Sequence, residues 1–276
     1  MTSAGAEAMW AARATLAHAR AQWLEISRFK ALWVYEAGWA FLFFVPLALT
    51  GMAFGDAGFE ASGGGQSFLA FAVTGFVALN VATSALWRGV VFLEKSNQTG
   101  TLAHLWAAEA PRWTALTGAT VIDVGFAALR GLLILVIASV LFKGAAFAVT
   151  LPTVLALLIA LVAFWGLGLA LAGVGLVARQ ARFPEILGAL AMVMAGGTYP
   201  IAILPWSVRW ISYVNPYTYV VDLVRSTTIG TPPLLAIELE FLIVSAIAVA
   251  CVFGGSRILF FCERIAIQRG LIGLHA

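Results

Sequence analysis

The amino-acid sequence predicts an all-α integral membrane protein with six transmembrane helices. Of its 276 residues, 62% are hydrophobic and only 11% are charged, and the mean hydropathy is +0.97. Soluble domains carry about 25% charged residues, so this chain has too little polar surface to cover a water-soluble fold. Six long apolar stretches, each close to the roughly 20 residues that a helix needs to cross a bilayer, hold most of the hydrophobicity.

The predicted spans occupy residues 32–52, 67–92, 114–142, 149–177, 186–204 and 234–261. The fifth span is the shortest, and it runs into an aromatic-rich segment, residues 196–233, which is interrupted by prolines. Proline disrupts helices, and aromatic side chains collect at membrane interfaces. This segment therefore predicts short interfacial helices after the fifth span.

The distribution of Arg and Lys predicts that both termini are cytoplasmic. In that orientation twelve Arg and Lys residues lie on the cytoplasmic side, one (Arg130) lies within a span, and three lie outside: Lys143, Arg209 and Arg225. Cytoplasmic loops of membrane proteins carry such an excess of positive charge. We therefore expect a multi-pass protein of the plasma membrane, the inner membrane of a bacterium. The pI near 9.1 reflects these loops, and no nucleic-acid partner is expected.

Residues 9–30 predict an amphipathic helix before the first span. Apolar residues recur there at three- and four-residue spacing: Met9, Ala12, Leu16, Ala19, Trp23 and Ile26. Such a helix suits the cytoplasmic face of the membrane, and a helical cytosolic tail is the alternative. The predicted organisation is a tail with this interfacial helix (1–31), a six-helix transmembrane domain (32–262) and a cytoplasmic C-terminal tail (263–276).

A polar island, residues 93–111 with the sequence LEKSNQTGTLAHLWAAEAP, separates the second and third spans. Residues 94–100 are polar, and Asn97 or Thr99 could cap a short helix beginning near Gly100. Three apolar residues share one face of this helix and are expected to be exposed: Leu102, Leu105 and Trp106. Proline at 111 ends the pattern.

The same region contains GVVFLEKS (89–96), which partly resembles the phosphate-binding loop motif G-x-x-x-x-G-K-[ST]. Glu94 stands where that motif requires a second glycine, and its carboxylate would repel phosphate. We therefore expect no ATP site in this chain. The sequence also contains no cluster of residues that predicts a catalytic or metal site.

Two separated motifs resemble those of the transmembrane permease subunits of type-2 ABC exporters. The first places an acidic residue before a Gly-Thr-Leu triplet and a proline about ten residues later: Glu94, Gly100, Thr101, Leu102, Leu105 and Pro111. The second, within residues 196–225, follows the fifth span: Pro200, Leu204, Pro205, Asn215, Pro216, Tyr219 and Arg225. The chain departs from the pattern at Ala103, where many members carry a second acid, and this could weaken or re-aim a contact with the partner.

The resemblance implies that the polar island is a coupling helix, which docks on a separate ATP-binding cassette subunit and receives its motion. It assigns the first motif and Trp106 to this coupling, and the second motif to a lid over the exit of the path. Two copies of the chain with two ATPase subunits would move an amphipathic cargo (a drug, lipid or lipid-linked glycan) out of the cytoplasm or inner leaflet. ATP and magnesium would bind the partner, and this chain would need no cofactor.

Alternatives stay open at each level. The face of the short helix could instead pack on lipid headgroups or on the chain's own bundle. Asp123 and Arg130, two turns apart in the third span, could pair structurally, with each other or with neighbouring helices, or line the export path. A membrane enzyme of lipid metabolism and a structural or assembly subunit without transport activity are the rival functions, and a co-purifying ATPase subunit would argue against both.

Overall fold

The computed structural model describes residues 3–28, 30–54, 67–107, 111–141, 147–178 and 182–270. Within these ranges the regular structure is helical, and no strand occurs. The helices are α1 (Ser3–Arg28), α2 (Lys30–Phe54), α3 (Phe68–Gln98), α4 (Thr101–Ala107), α5 (Arg112–Leu141), α6 (Leu151–Ala178), α7 (Arg182–Met194), a 3-10 turn (Ile201–Ile203), α8 (Trp206–Val214), α9 (Pro216–Ile229) and α10 (Ile237–Gln268).

Four of the predicted spans coincide with long apolar helices. In the described part of the chain, α3, α5, α6 and α10 are long and apolar enough to cross a membrane. At the first predicted span, α2 is a helix of 25 residues. At the fifth, α7 has only 13 residues, about 20 Å of helix, which is short for a bilayer. The all-helical membrane fold is confirmed, and the count of six spans stays a prediction.

Two of the long helices continue past the apolar runs that predicted them. α3 ends at Gln98 and α10 ends at Gln268, whereas the predicted spans end at 92 and 261. The polar stretch 94–100 is therefore helical as far as Gln98, so Asn97, one of the two candidate caps, lies within α3. Glu, Lys and Gln are good helix formers, and polar side chains are no obstacle once a helix has left the bilayer.

The centre of the bundle is α3. In its apolar window 83% of the residues are buried, against 17% in α10. α3 packs on α5, α6 and α9, and α6 packs extensively on α10. The main core cluster joins Leu86 of α3, Phe164 of α6 and Tyr217 of α9. A helix enclosed in this way can transmit a displacement at one end to several neighbours, because close-packed interiors are hard to compress.

The N-terminal helix α1 packs along α5. Its buried apolar residues are Ala11, Ala19 and Ile26. At Gly118 of α5 a Cβ atom would lie 2.7 Å from the Cβ of His18, so only glycine permits this approach. Burial there lowers the pKa of His18.

The predicted stripe of α1 is divided between two surfaces. Ala19 and Ile26 are buried, and the other members are exposed: Met9, Ala12, Leu16 and Trp23. The reason is that the helix has two adjacent apolar faces, one against α5 and one away from the bundle. The exposed face retains the composition expected of a helix on a membrane surface.

Candidate functional site

The polar island forms the end of α3, a two-residue turn and the short helix α4. Thr99 closes α3, because its N–H and its hydroxyl both donate to the Lys95 carbonyl, at 3.0 and 2.9 Å. Gly100 follows with φ of 72°, and its N–H donates to the Asn97 carbonyl at 3.2 Å. Only glycine adopts this left-handed conformation without strain, so Gly100 sets the direction in which α4 leaves α3.

Leu102 is 1% exposed, so the prediction that it belongs to an exposed face of α4 is wrong. It packs in a cluster with residues of four long helices: Val90 and Leu93 of α3, Leu116 of α5, Leu169 and Ala172 of α6, and Leu259 of α10. A helix of seven residues is too short to be stable alone, so tertiary packing must hold it. Burying one leucine side chain contributes about 2 kcal/mol to that attachment.

The rest of α4 is more open. Thr101, His104 and Ala107 are exposed and Leu105 is half-buried. The side chain of Trp106 lies outside the described residues. The helix therefore has one leucine inserted into the bundle and a second face that the chain itself leaves accessible.

The remaining residues of the first motif flank α4 on either side. Glu94 is exposed on the last turns of α3, where its carboxylate accepts a hydrogen bond from Gln98 at 3.4 Å. Pro111 precedes α5, and its carbonyl accepts from the N–H and hydroxyl of Thr114 at 2.9 and 2.6 Å. The motif thus connects two long helices through α4.

Two ion pairs brace the helices around this turn. Arg88 of α3 and Asp123 of α5 lie 3.3 Å apart, and Lys95 of α3 pairs with Glu25 of α1. The ion pair of Asp123 with Arg88 is the pairing with a neighbouring helix that the sequence analysis left open. Trp23 of α1 also stacks on Phe126 of α5, with ring centroids 6.2 Å apart. These contacts tie α1 to the same end of α3 and α5 that carries α4.

The second motif lies in the broken segment, residues 195–236, and Arg225 is its anchor. This side chain is 4% exposed and donates from Nη2 to the carbonyls of Gly196 and Gly197, at 3.1 and 2.9 Å. Its guanidinium also lies over the Phe71 ring, 3.3 Å from the centroid. A Cβ at Gly75 would lie 1.9 Å from the Gly197 carbonyl oxygen, so α3 and the broken segment meet backbone to backbone.

Asn215 and Pro216 start α9. The Asn215 side chain accepts from the Tyr217 N–H at 3.1 Å and donates to the Ala191 carbonyl at 2.5 Å. It is therefore a helix cap and a link to α7 in one residue. Pro216 occupies the first turn, where its missing N–H costs nothing.

The other members of the second motif shape the turns. Pro200 precedes the 3-10 turn and Pro205 precedes α8. Tyr219 is half-buried, and its hydroxyl donates to the Tyr213 carbonyl at 2.7 Å. Trp206, Trp210 and Tyr213 are exposed, as expected of an aromatic belt, but Tyr217 is 2% exposed and packs on Phe164.

Sequence reasoning missed a pair of carboxylates that hold the loop between α9 and α10. Asp222 accepts from the Leu234 N–H at 2.7 Å, and Glu240 accepts from the Leu235 N–H at 3.0 Å. Glu240 is fully buried, although its position as an acid in the first turn of a membrane-spanning helix predicts that it lies at the interface. The sequence around Glu240 does not predict that it holds the loop, because the contact depends on where the preceding loop lies in the fold.

The two motifs are not brought together. Phe71 and Gly75, at the start of α3, contact the broken segment, whereas Lys95 and Gln98, at its other end, lead into α4. About 40 Å of helix separates the two ends. No group of residues that could hold a metal ion occurs in the part of the chain that the structure describes. The arrangement is therefore suited to mechanical transmission along α3.

Comparison with known proteins identifies one family. A family model described as ABC-2 type transporter matches residues 17–229, which are 213 of the 276 residues. The match begins within α1 and ends at the last residue of α9, so it includes both motifs. No curated protein matches the chain.

Proposed function

The chain belongs to the ABC-2 type transporter family, and we propose that two copies of it form the transmembrane path of an exporter driven by two ATP-binding subunits. The family implies a permease subunit that associates with an ATP-binding cassette subunit. Under the proposal, ATP and magnesium bind that partner. The cargo is an amphipathic molecule, such as a drug, a lipid or a lipid-linked glycan, which leaves the cytoplasm or the inner leaflet.

The position of Leu102 is the observation that supports coupling through α4. The side chain is inserted among residues of α3, α5, α6 and α10, so a displacement of α4 acts on four long helices at once. The exposed face of α4 is left for the partner, as in a helix-in-groove contact. Closure of the ATPase dimer would then shift the spans between inward-open and outward-open arrangements.

The broken segment supports a role as a lid at the far end of α3. Arg225 fastens this segment to α3 through the carbonyl and the ring of Phe71, while its Nη2 holds the Gly196 and Gly197 carbonyls of the segment itself. A movement of α3 therefore pulls on the segment directly. In the proposed cycle, tilting of α3 by α4 opens or closes this lid over the exit.

A structural or assembly subunit without transport activity would need neither an exposed face on α4 nor a lid. The membrane-enzyme alternative needs reactive side chains gathered in a cavity. Of the three histidines, His18 lies on α1 and His104 is exposed on α4, while His275 lies outside the described residues. The described histidines therefore lend no support to the membrane-enzyme alternative.

Co-purification tests the proposal. The isolated chain should show no saturable ATP binding and no ATPase activity, since Glu94 disrupts the one phosphate-loop pattern that the sequence analysis found. Co-expressed with its ATP-binding subunit, it should form a stoichiometric complex whose ATP hydrolysis rises with cargo. Nucleotide binding by the chain alone, or a chain that never retains an ATPase subunit, would contradict the half-transporter assignment.

A further inference from the structure

A cleft of about 570 Å³ opens between α1, the last turns of α3, the turn before α4, and α5. Four charged side chains line it: Glu25, Arg88, Lys95 and Asp123. The lining also includes the hydroxyl-bearing residues Ser96, Thr99 and Thr101 and the apolar residues Ile26, Val91 and Phe126. The cleft therefore offers both polar and apolar surface to a ligand.

The cleft lies at the predicted cytoplasmic ends of the second and third spans. If the hydrocarbon layer begins at Phe68, the roughly 20 helical residues that cross it end at Trp87. Arg88 is the next residue, and Lys95 lies two turns further towards α4. Trp23 is 43% exposed beside the cleft, and tryptophan is enriched at this depth.

The charges of the cleft are balanced and arranged in pairs. Arg88 lies beside Asp123 and Lys95 beside Glu25, so the cleft carries two positive and two negative groups. A ligand of one charge sign would meet as much repulsion as attraction.

We propose that this cleft binds the headgroup of a zwitterionic phospholipid with a primary ammonium group, of the phosphatidylethanolamine class. The phosphate oxygens accept from Arg88 and Lys95, and the ammonium donates to Glu25 and Asp123. A primary ammonium offers three donors, as lysine does, whereas the quaternary ammonium of phosphatidylcholine offers none. One acyl chain lies against Val91 and Phe126. The lipid thereby joins α1 to the end of α3 that leads into α4.

The charge balance also decides against the other occupants. An anionic phospholipid satisfies the two cations but leaves Glu25 and Asp123 facing a phosphate. A protein surface would have to reach Arg88, whose side chain is only 17% exposed. A lipid headgroup is small enough to enter and arrives already at the correct depth.

Native mass spectrometry of the delipidated full chain in detergent tests the proposal. Phosphatidylethanolamine should bind at one molecule per chain, about tenfold more tightly than phosphatidylcholine or phosphatidylglycerol, the equivalent of one charge-assisted hydrogen bond. Glu25→Gln should remove most of that preference while leaving phosphatidylcholine binding unchanged. Lys95→Gln should weaken all three lipids. Both side chains are about half exposed, so neither change should prevent folding.

Arg269→Gln is the matched control, because it removes one exposed charge beyond α10 and outside the cleft. Its lipid selectivity should equal that of the unmodified chain. Equal binding of the three lipids by the unmodified chain would overturn the proposal. So would release of the lipid by millimolar inorganic phosphate, which would indicate a phosphate site, or by the ATP-binding subunit, which would indicate a docking surface.

Discussion

Arg225 shows how one residue can fix a turn that belongs to no helix. The carbonyls of Gly196 and Gly197 lie in the turn after α7 and cannot bond to each other. A guanidinium presents several donors in a plane, so one side chain can satisfy both carbonyls and still lie flat on the Phe71 ring. A buried charge is costly, and this one is offset by its hydrogen bonds.

Arg225→Ala should therefore destabilise the protein strongly. The change removes three hydrogen bonds from a charged donor, the ring contact, and the partners of the buried Gly196 and Gly197 carbonyls, so we expect a loss of about 3 kcal/mol or more. Arg225→Lys should recover only part of this, because an ammonium cannot reproduce the planar fork. Thermal unfolding in detergent measures both. Arg257→Ala, an exposed arginine of α10, is the control and should change stability by less than about 0.5 kcal/mol.

At the level of the element, α4 combines attachment with an open face. Its periodicity predicted one exposed apolar face, but it could not show that the bundle would cover Leu102, because that depends on Leu116 and Leu259, far away in sequence. The burial of Leu102 makes α4 part of the transmembrane domain. Leu105 and Trp106 remain the predicted contacts with the ATP-binding subunit.

Trp106→Ala should weaken assembly with the ATP-binding subunit or uncouple its ATP turnover from transport. Truncating an aromatic anchor in an interface often costs about 2 kcal/mol or more. The chain should still insert into the membrane, because no span is altered. Complex formation, ATP turnover and transport are the three measurements.

Trp10→Ala is the control for this truncation, because it removes the same side chain from the exposed surface of α1, where it is 42% exposed. It should leave all three measurements at the level of the unmodified chain. If Trp106→Ala does so as well, α4 is only a membrane-surface element and its proposed coupling role is wrong.

For the whole molecule, long apolar runs were sufficient to predict the principal helices. The bounds of α5 and α6 agree with the predicted spans within two residues. An apolar run of that length is stable in a bilayer, where it must form a helix to satisfy its backbone hydrogen bonds. The apolar runs did not predict the polar ends of α3 and α10. Outside the bilayer, water can hydrogen-bond to exposed backbone groups, so a polar stretch can form either a helix or a turn there. The Glu25–Lys95 pair joins residues 70 positions apart, and no sequence period encodes such a contact.

The orientation of the molecule is the property on which the proposed roles of both motifs depend. With α4 in the cytoplasm, the far end of α3 and the broken segment must face outside, so one labelling experiment decides both. In a chain lacking Cys251 and Cys262, a cysteine at position 143 should react with an impermeant maleimide added to sealed cells. Lys143 lies outside the described residues, so this position rests on the Arg and Lys distribution alone.

Cysteines at Asn97 and Gln98 should stay unlabelled in the same cells and react after permeabilisation. Gln98 is exposed at the end of α3, so its protection in sealed cells would reflect the membrane barrier rather than burial in the protein. Labelling of position 98 without permeabilisation would place α4 outside, where no ATPase subunit could reach it. The charge distribution argues against that result, because an inverted chain would expose twelve Arg and Lys residues on the outer side and keep three inside.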